Sequence, residues 1–230
     1  MKELEWIKEL GEDFKSGDKE RFPKIDIPDP PTGYKKGVYL YGRAAQYKSA
    51  YRGEVLYWLA YCYKYSRGSN KDTVKAFKMF EALAKIDCSK IELPEHAEFT
   101  ANANISLADC YYRSIGTEKN VEKAIEIWKE YAEKGDETAC RNLGVQYLSG
   151  KYLKRDYEKA FYWTQKAANS NDVVAINNLG WCYENGYGTE KDIKKAVEYY
   201  KEAAECGNIV AKNNLKRLKR KGIITDGEND

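Results

Sequence analysis

The stretch Asn178-Leu-Gly-Trp-Cys-Tyr-Glu-Asn-Gly-Tyr-Gly-Thr189, followed by Asp192-Ile-Lys-Lys-Ala-Val-Glu-Tyr-Tyr-Lys-Glu-Ala-Ala204, carries two helical patterns separated by a glycine-rich turn. Ala175, Ile176, Leu179 and Tyr183 recur at three- and four-residue spacing and form one apolar stripe. Ala196, Tyr199, Tyr200, Ala203 and Ala204 form a second. Gly186 and Gly188 end the first helix and turn the chain. The pattern then repeats backwards. Ala211, Ala175, Ala139 and Ala103 stand 36 apart, as do Leu215, Leu179, Leu143 and Leu107, and Tyr183, Tyr147 and Tyr111. Lys195-Ala196, Lys159-Ala160 and Lys123-Ala124 keep the same step, and Ala204, Ala168 and Ala132 follow it. One further copy lies 48 residues upstream, with Leu59-Ala60, Tyr63 and Lys75-Ala76 in the same columns, so residues 88–99 are an insert. Small alanines at fixed columns imply close helix approach.

The punctuation agrees with the period. Asp136, Asp172 and Asn208 stand where a side-chain acceptor should cap the first helix of a pair; Asp72, Asn120, Asp156 and Asp192 stand before the second. Gly135, Asn171 and Gly207 fall just after the second helix, where a left-handed residue is expected. From repeat tyrosine to the next cap is nine residues in all four units. Each unit is therefore a helical hairpin of all-α class.

These residues resemble a Sel1-like repeat, a relative of the tetratricopeptide repeat with a slightly longer loop inside the hairpin. Asn142-Leu-Gly-Val-Gln-Tyr147 with Asp156-Tyr-Glu-Lys-Ala160 matches nearly as well, whereas the units at Leu107-Ala108 and Leu59-Ala60 lack the glycine and are degenerate. The resemblance implies a right-handed superhelical solenoid of antiparallel helix pairs. It also implies a concave face lined by the first helix of each pair, serving as an adaptor or scaffold. The units run at about 54–87, 100–135, 136–171 and 172–207. Before them lie an amphipathic helix (1–17, with Leu4, Ile7, Leu10 and Phe14 on one face), a Pro-rich extended connector (18–36) and a half-repeat helix (37–53). After them come a capping helix (208–222) and a polar tail (223–230). The opening helix is expected to cap the array; docking elsewhere is the alternative.

Composition fits such an array. Mean hydropathy is −0.76, yet aromatics make up 13% of the 230 residues, including 20 tyrosines, too many for general disorder. Repeat units bury only the faces against their neighbours. No apolar run approaches a membrane span, and the N-terminus lacks a signal-peptide core, so a cytoplasmic location is expected. The net charge of +3 is uneven. Residues 1–33 carry 6 basic and 9 acidic side chains, and residues 34–67 carry 7 basic against Glu54 alone, together with nine tyrosines.

Little in the chain supports catalysis. His96 is the single histidine, no CxxC pair suggests zinc, and there is no phosphate-binding GxxxxGK[ST] loop. No cofactor or metal is expected. A Cys88/His96 nucleophile pair lacks an orienting partner and an oxyanion site. Cys62, Cys110 and Cys182 share a column with Gln146 in the remaining unit, which a buried small-residue position explains. Cysteine-rich secreted relatives staple their hairpins at constant spacing. Here Cys62 to Cys88 is 26 and Cys182 to Cys206 is 24, so six reduced thiols are expected.

Two residues before the repeat leucine, a helix position lies about 200° around from the core stripe. That column and those four and seven residues on give Tyr57, Tyr61 and Lys64; Ile105, Asp109 and Tyr112; Arg141, Val145 and Leu148; Asn177, Trp181 and Glu184; and Asn213, Arg217 and Arg220. They change from unit to unit while the scaffold columns repeat, as a specificity surface would, and Tyr57, Tyr61, Tyr112 and Trp181 are the expected anchors. Asn142, Asn178 and Asn214 recur and are expected to be structural. The reading is a non-enzymatic protein–protein interaction module, more monomer than oligomer, that binds a partner peptide or protein. Alternatives are nucleic-acid or polyanion binding through 34–67 and Lys212–Lys221, and an immunity-type or regulatory antagonist of one protein.

Overall fold

The computed structural model describes residues 52–66, 71–85 and 94–224. The opening helix, the connector, the half-repeat up to residue 51 and the end of the tail lie outside them, as does Cys88; residues 52 and 53 belong to the helix of the first full unit, and His96 sits in a described helix. Among the described residues every element is helical: α1 (Arg52–Tyr65), α2 (Thr73–Ala84), α3 (Pro94–Arg113), α4 (Val121–Glu133), α5 (Glu137–Ser149), α6 (Tyr157–Ala168), α7 (Val173–Asn185), α8 (Ile193–Glu205) and α9 (Ile209–Arg220). The chain forms two compact units, residues 1–124 and 125–230. In the first, α1 packs on α2 and both pack on α3. In the second, α5 packs on α6, α6 on α7, α7 on α8 and α8 on α9. These are the helix pairs of an all-α repeat solenoid.

The periodic residues do the same job in each copy. Asp72, Asp156 and Asp192 cap α2, α6 and α8 by accepting from the third residue on; Asn120 accepts from the Lys123 amide before α4. Asp136, Asp172 and Asn208 cap α5, α7 and α9 in the same way. Each such cap contributes about 1 kcal/mol. The nine-residue spacing is a closed loop: the amides of Asp72, Asn120, Asp156 and Asp192 donate to the carbonyls of Tyr63, Tyr111, Tyr147 and Tyr183 at 2.9–3.2 Å. Two columns twelve residues apart also meet across the hairpin. The ammonium groups of Lys75, Lys123, Lys159 and Lys195 lie 4.9, 4.6, 5.6 and 5.3 Å from the ring centroids of those same tyrosines. Every hairpin is thus closed by a backbone hydrogen bond and a cation–π contact.

Ala103, Ala139, Ala175 and Ala211 are fully buried, as are Ala76, Ala124, Ala160 and Ala196. Gly180 shows why nothing larger fits between paired helices: a Cβ there would lie 2.9 Å from two ring carbons of Tyr200 and 3.1 Å from the Ala196 carbonyl oxygen. The turn after the first helix needs a left-handed residue, supplied by Gly150 and Gly186 in the regular units but by Ser66 and Ser114 (φ 58° and 59°) in the degenerate ones. Pro94 starts α3 inside the insert. Cys110, Cys140 and Cys182 are buried free thiols and Cys206 is an exposed one. Burial pushes the Cys110 thiol up to about 11 and the Cys182 thiol up to about 12.

Candidate partner-binding faces

In the first unit the expected face lies on α1 and α3. Tyr57, Tyr61, Ile105 and Tyr112 are half-buried. Lys64 is not on the surface; its residue is 4% exposed, and its ammonium lies 2.7 Å from the Asp109 carboxylate, which Arg113 also contacts. Burial alone would pull the Lys64 pKa down. The hydrogen bond and charge of Asp109 outweigh it, and the pKa lies above the ordinary lysine value. The sequence reading missed Trp58 and Tyr65, exposed at 38% and 48%. They extend Tyr57 and Tyr61 into an aromatic ridge, with Trp58 edge-on to both (5.4 and 5.8 Å) and Tyr65 4.5 Å from Tyr61. The signal was available: 57, 58, 61 and 65 are i, i+1, i+4 and i+8 on one helix.

In the second unit the face lies on α5, α7 and α9, joined edge to edge by side-chain bonds. Arg141 of α5 pairs with Asp172, the capping residue of α7. Asn214 of α9 donates to Asn177 at 3.1 Å, and Asn177 donates to Asn178. The recurrent asparagines thus include hydrogen-bonding struts between consecutive repeats. Arg217 holds Glu184 through two bonds of 2.6 Å, and the Tyr200 hydroxyl donates to the same carboxylate at 2.8 Å. Burial would raise the Glu184 pKa, but the Arg217 and Tyr200 hydrogen bonds dominate and hold it below the usual glutamate value. The Arg217 guanidinium also stands 5.5 Å above the Trp181 ring.

Asn177 and Glu184, like Lys64, were expected to face solvent and are instead buried, at 5% and 9% exposure. The cause is geometric. A position 200° from the stripe that meets the paired helix lies on the flank facing the neighbouring first helix, and each such flank is itself an interface. Lys64–Asp109 and Glu184–Arg217 occupy the same columns of successive repeats with reversed polarity. What remains open in the second unit is Val145, 38% exposed, with half-buried Leu148 and Trp181, exposed Asn213 and Arg220, and Arg141. The two carboxylates beside them, Asp172 and Glu184, are already matched by arginines, so this face is apolar with a basic margin. Among the described residues no group of three or more His, Cys, Asp or Glu side chains could hold a metal ion. No described helix is long and apolar enough to cross a membrane.

The Sel1 repeat pattern matches residues 53–87, 101–136, 138–172 and 173–208, more than half of the chain. No curated protein matches it. Among solved structures, a Sel1 repeat protein from Oxalobacter formigenes aligns at 25% identity with a TM-score of 0.64, over 80% of this chain and 74% of its own. A protective antigen present in uropathogenic Escherichia coli strains, displaying an SLR fold, aligns at 23% identity with a TM-score of 0.62. That alignment covers 96% of this chain, which spans only 42% of the antigen's length. An immunity protein from Pseudomonas aeruginosa aligns at 16% identity with a TM-score of 0.43, over 87% of this chain and 80% of its own, a level that bears on nothing further.

Proposed function

Because the chain belongs to the Sel1 repeat family, whose repeats generally mediate protein–protein interaction and form a generally non-enzymatic scaffold, we propose that it is an interaction module. It holds a partner peptide or protein against the first helices of its pairs. The observation that carries this is the contrast of columns in the second unit. Positions that build the hairpins repeat, whereas Val145, Leu148 and Trp181 vary, stay open to solvent in part, and have their neighbouring acids neutralised. Apolar side chains bordered by arginine are the usual anchors of protein interfaces. In the first unit the Tyr57–Trp58–Tyr61–Tyr65 ridge offers the same chemistry. Lys64, Asn177 and Glu184 are scaffold, because each already spends its polar group inside the protein.

The test is site-specific photocrosslinking with benzoylphenylalanine at position 145, compared with position 162 on α6, where Tyr162 is 56% exposed. A protein partner crosslinked from 145 and not from 162 supports the reading. Crosslinks confined to 162, or to nucleic acid, refute it. The polyanion reading loses ground in the described part of 34–67, because Lys64 is already spent on Asp109. At the other end of that reading, Lys212–Lys221, Arg217 is already paired with Glu184.

A further inference from the structure

The tips of two consecutive hairpins in the second unit frame a cleft of about 1040 Å³, at the upper end of the size usual for ligand sites. One wall is the turn from α5 to α6 with the first turn of α6; the other is the turn from α7 to α8. The two tips are seated on each other. A Cβ on Gly188 would stand 2.1 Å from the Tyr157 carbonyl oxygen and 2.7 Å from the Phe161 Cβ, so the turns meet only because that side chain is missing. Beside this contact the Tyr157 and Tyr187 rings stack at 4.3 Å, nearly parallel. The cleft is thus preformed, and binding in it requires little ordering of the chain.

Its charges do not cancel locally. Asp156 is already engaged: it accepts from the Lys159 amide at 3.0 Å as the cap of α6 and pairs with the Lys159 ammonium at 3.2 Å. Arg155 is positioned by groups that are not acids. Its stem crosses Gly150, where a Cβ would lie 2.8 Å from the Arg155 Cβ. One guanidinium N–H donates to the Ser149 carbonyl at 3.0 Å, and the group lies 5.9 Å from the Tyr157 ring centroid. The rest of that donor fork and the exposed ammonium of Lys154 meet no carboxylate among the described residues, and exposed Glu158 meets no cation there. In the columns of Lys154 and Arg155 the neighbouring units carry Glu118-Lys119 and Glu190-Lys191, one charge of each sign. This tip carries two cations instead.

We propose that the cleft binds a short segment of a partner protein in which a carboxylate side chain, an apolar residue and a lysine or arginine stand close together. The carboxylate lies against the open side of the Arg155 guanidinium and the Lys154 ammonium. The apolar side chain covers Leu153 and Tyr147, both half-buried in the cleft wall. The cation meets Glu158. A polyanion would also find the two cations, but it would bring its charge against Glu158, so the mixed lining favours a peptide over nucleic acid. The site goes beyond the first-helix face, since none of its residues belongs to the columns of Val145, Leu148 and Trp181.

The probe is the equimolar set of six blocked pentapeptides that place Glu, Leu and Lys in every order between terminal glycines. The corresponding Gln, Leu and Lys peptides are the control. Titration of the isotope-labelled full chain, read by amide shifts in two-dimensional NMR, is expected to move residues 153–159 and 186–189. The Glu set should bind about threefold or more tightly than the Gln set at low salt. Lys154→Gln/Arg155→Gln, at exposed positions outside the helices, should abolish that difference without altering the rest of the spectrum, and Glu158→Gln should weaken the Glu set. No binding, equal binding of the two sets by the unaltered chain, or shifts confined to other residues overturns the proposal. So does inorganic phosphate moving the same amides at a lower concentration than the Glu peptides, which would mark a simple anion site.

Discussion

Changing Gly180 to alanine tests how the paired helices approach. In an ordinary helix the change would stabilise the protein by about 1 kcal/mol, because glycine is the poorer helix former. Here the new Cβ would stand 2.9 Å from Cδ1 and Cε1 of Tyr200, a fully buried ring that cannot swing into solvent. Forcing a methyl group into such packing costs about 1–3 kcal/mol. Any displacement of the ring also weakens the 2.8 Å bond from its hydroxyl to Glu184, and a hydrogen bond to a charged group is worth about 1.5–3 kcal/mol. The gain and the losses together leave a net destabilisation of about 2 kcal/mol, or a fall in Tm of about 4–8 °C for a chain of this size. Urea unfolding followed by circular dichroism measures it. The decisive comparison is a double-mutant cycle with Tyr200→Ala. Without the ring only the 3.1 Å approach to the Ala196 carbonyl oxygen remains, so most of the cost of Gly180→Ala should vanish in that background. A destabilisation of the same size with and without Tyr200 would refute the close-approach argument.

Glu184→Gln leaves the Arg217 guanidinium without its counter-charge in a contact where the side chains are 27% and 11% exposed; it should cost about 2 kcal/mol, less than a fully buried pair, and raise hydrogen exchange in α9 before α5. Because the Glu184 pKa lies below its unfolded value, the stability it supplies is present above the ordinary glutamate pKa of about 4.3 and lost as pH falls through the lower folded value. Acid protection of α9 should therefore be pH-dependent in the natural chain and flat in the variant over that window. Ser114→Gly should raise stability by about 0.5–1 kcal/mol, because Ser114 holds φ 59° where the regular units use glycine; thermal melting reads it, and a lower Tm would contradict it. Alkylation by iodoacetamide at pH 8 should modify Cys206 in the folded chain, whereas Cys110 and Cys182, buried and with thiols raised to about 11 and 12, should react only on unfolding, as peptide mass mapping would show.

The period, the hairpin boundaries and the caps were legible in the sequence because each is a local matter. Asp192 caps α8 by reaching three residues on, and the spacing from Tyr183 to Asp192 is closed by one turn of backbone. Such features need no knowledge of what lies alongside. Tertiary packing decided the faces. Periodicity within one helix separates the stripe that meets its own partner from everything else, but it cannot tell a flank pressed against the next repeat from a surface open to water. Lys64, Asn177 and Glu184 fell on the first kind and Val145 on the second, although all four came from the same set of columns. Pairing of Glu184 with Arg217, or of Arg141 with Asp172, depends on how far one repeat is rotated against the next, and that rotation is set by side-chain volumes summed over a whole interface. The basic run Lys212–Lys221 gained its meaning in the same way: as sequence it was a patch of charge, and once α9 packed as a first helix, Arg217 met Glu184 and the Trp181 ring while Leu218 went inside.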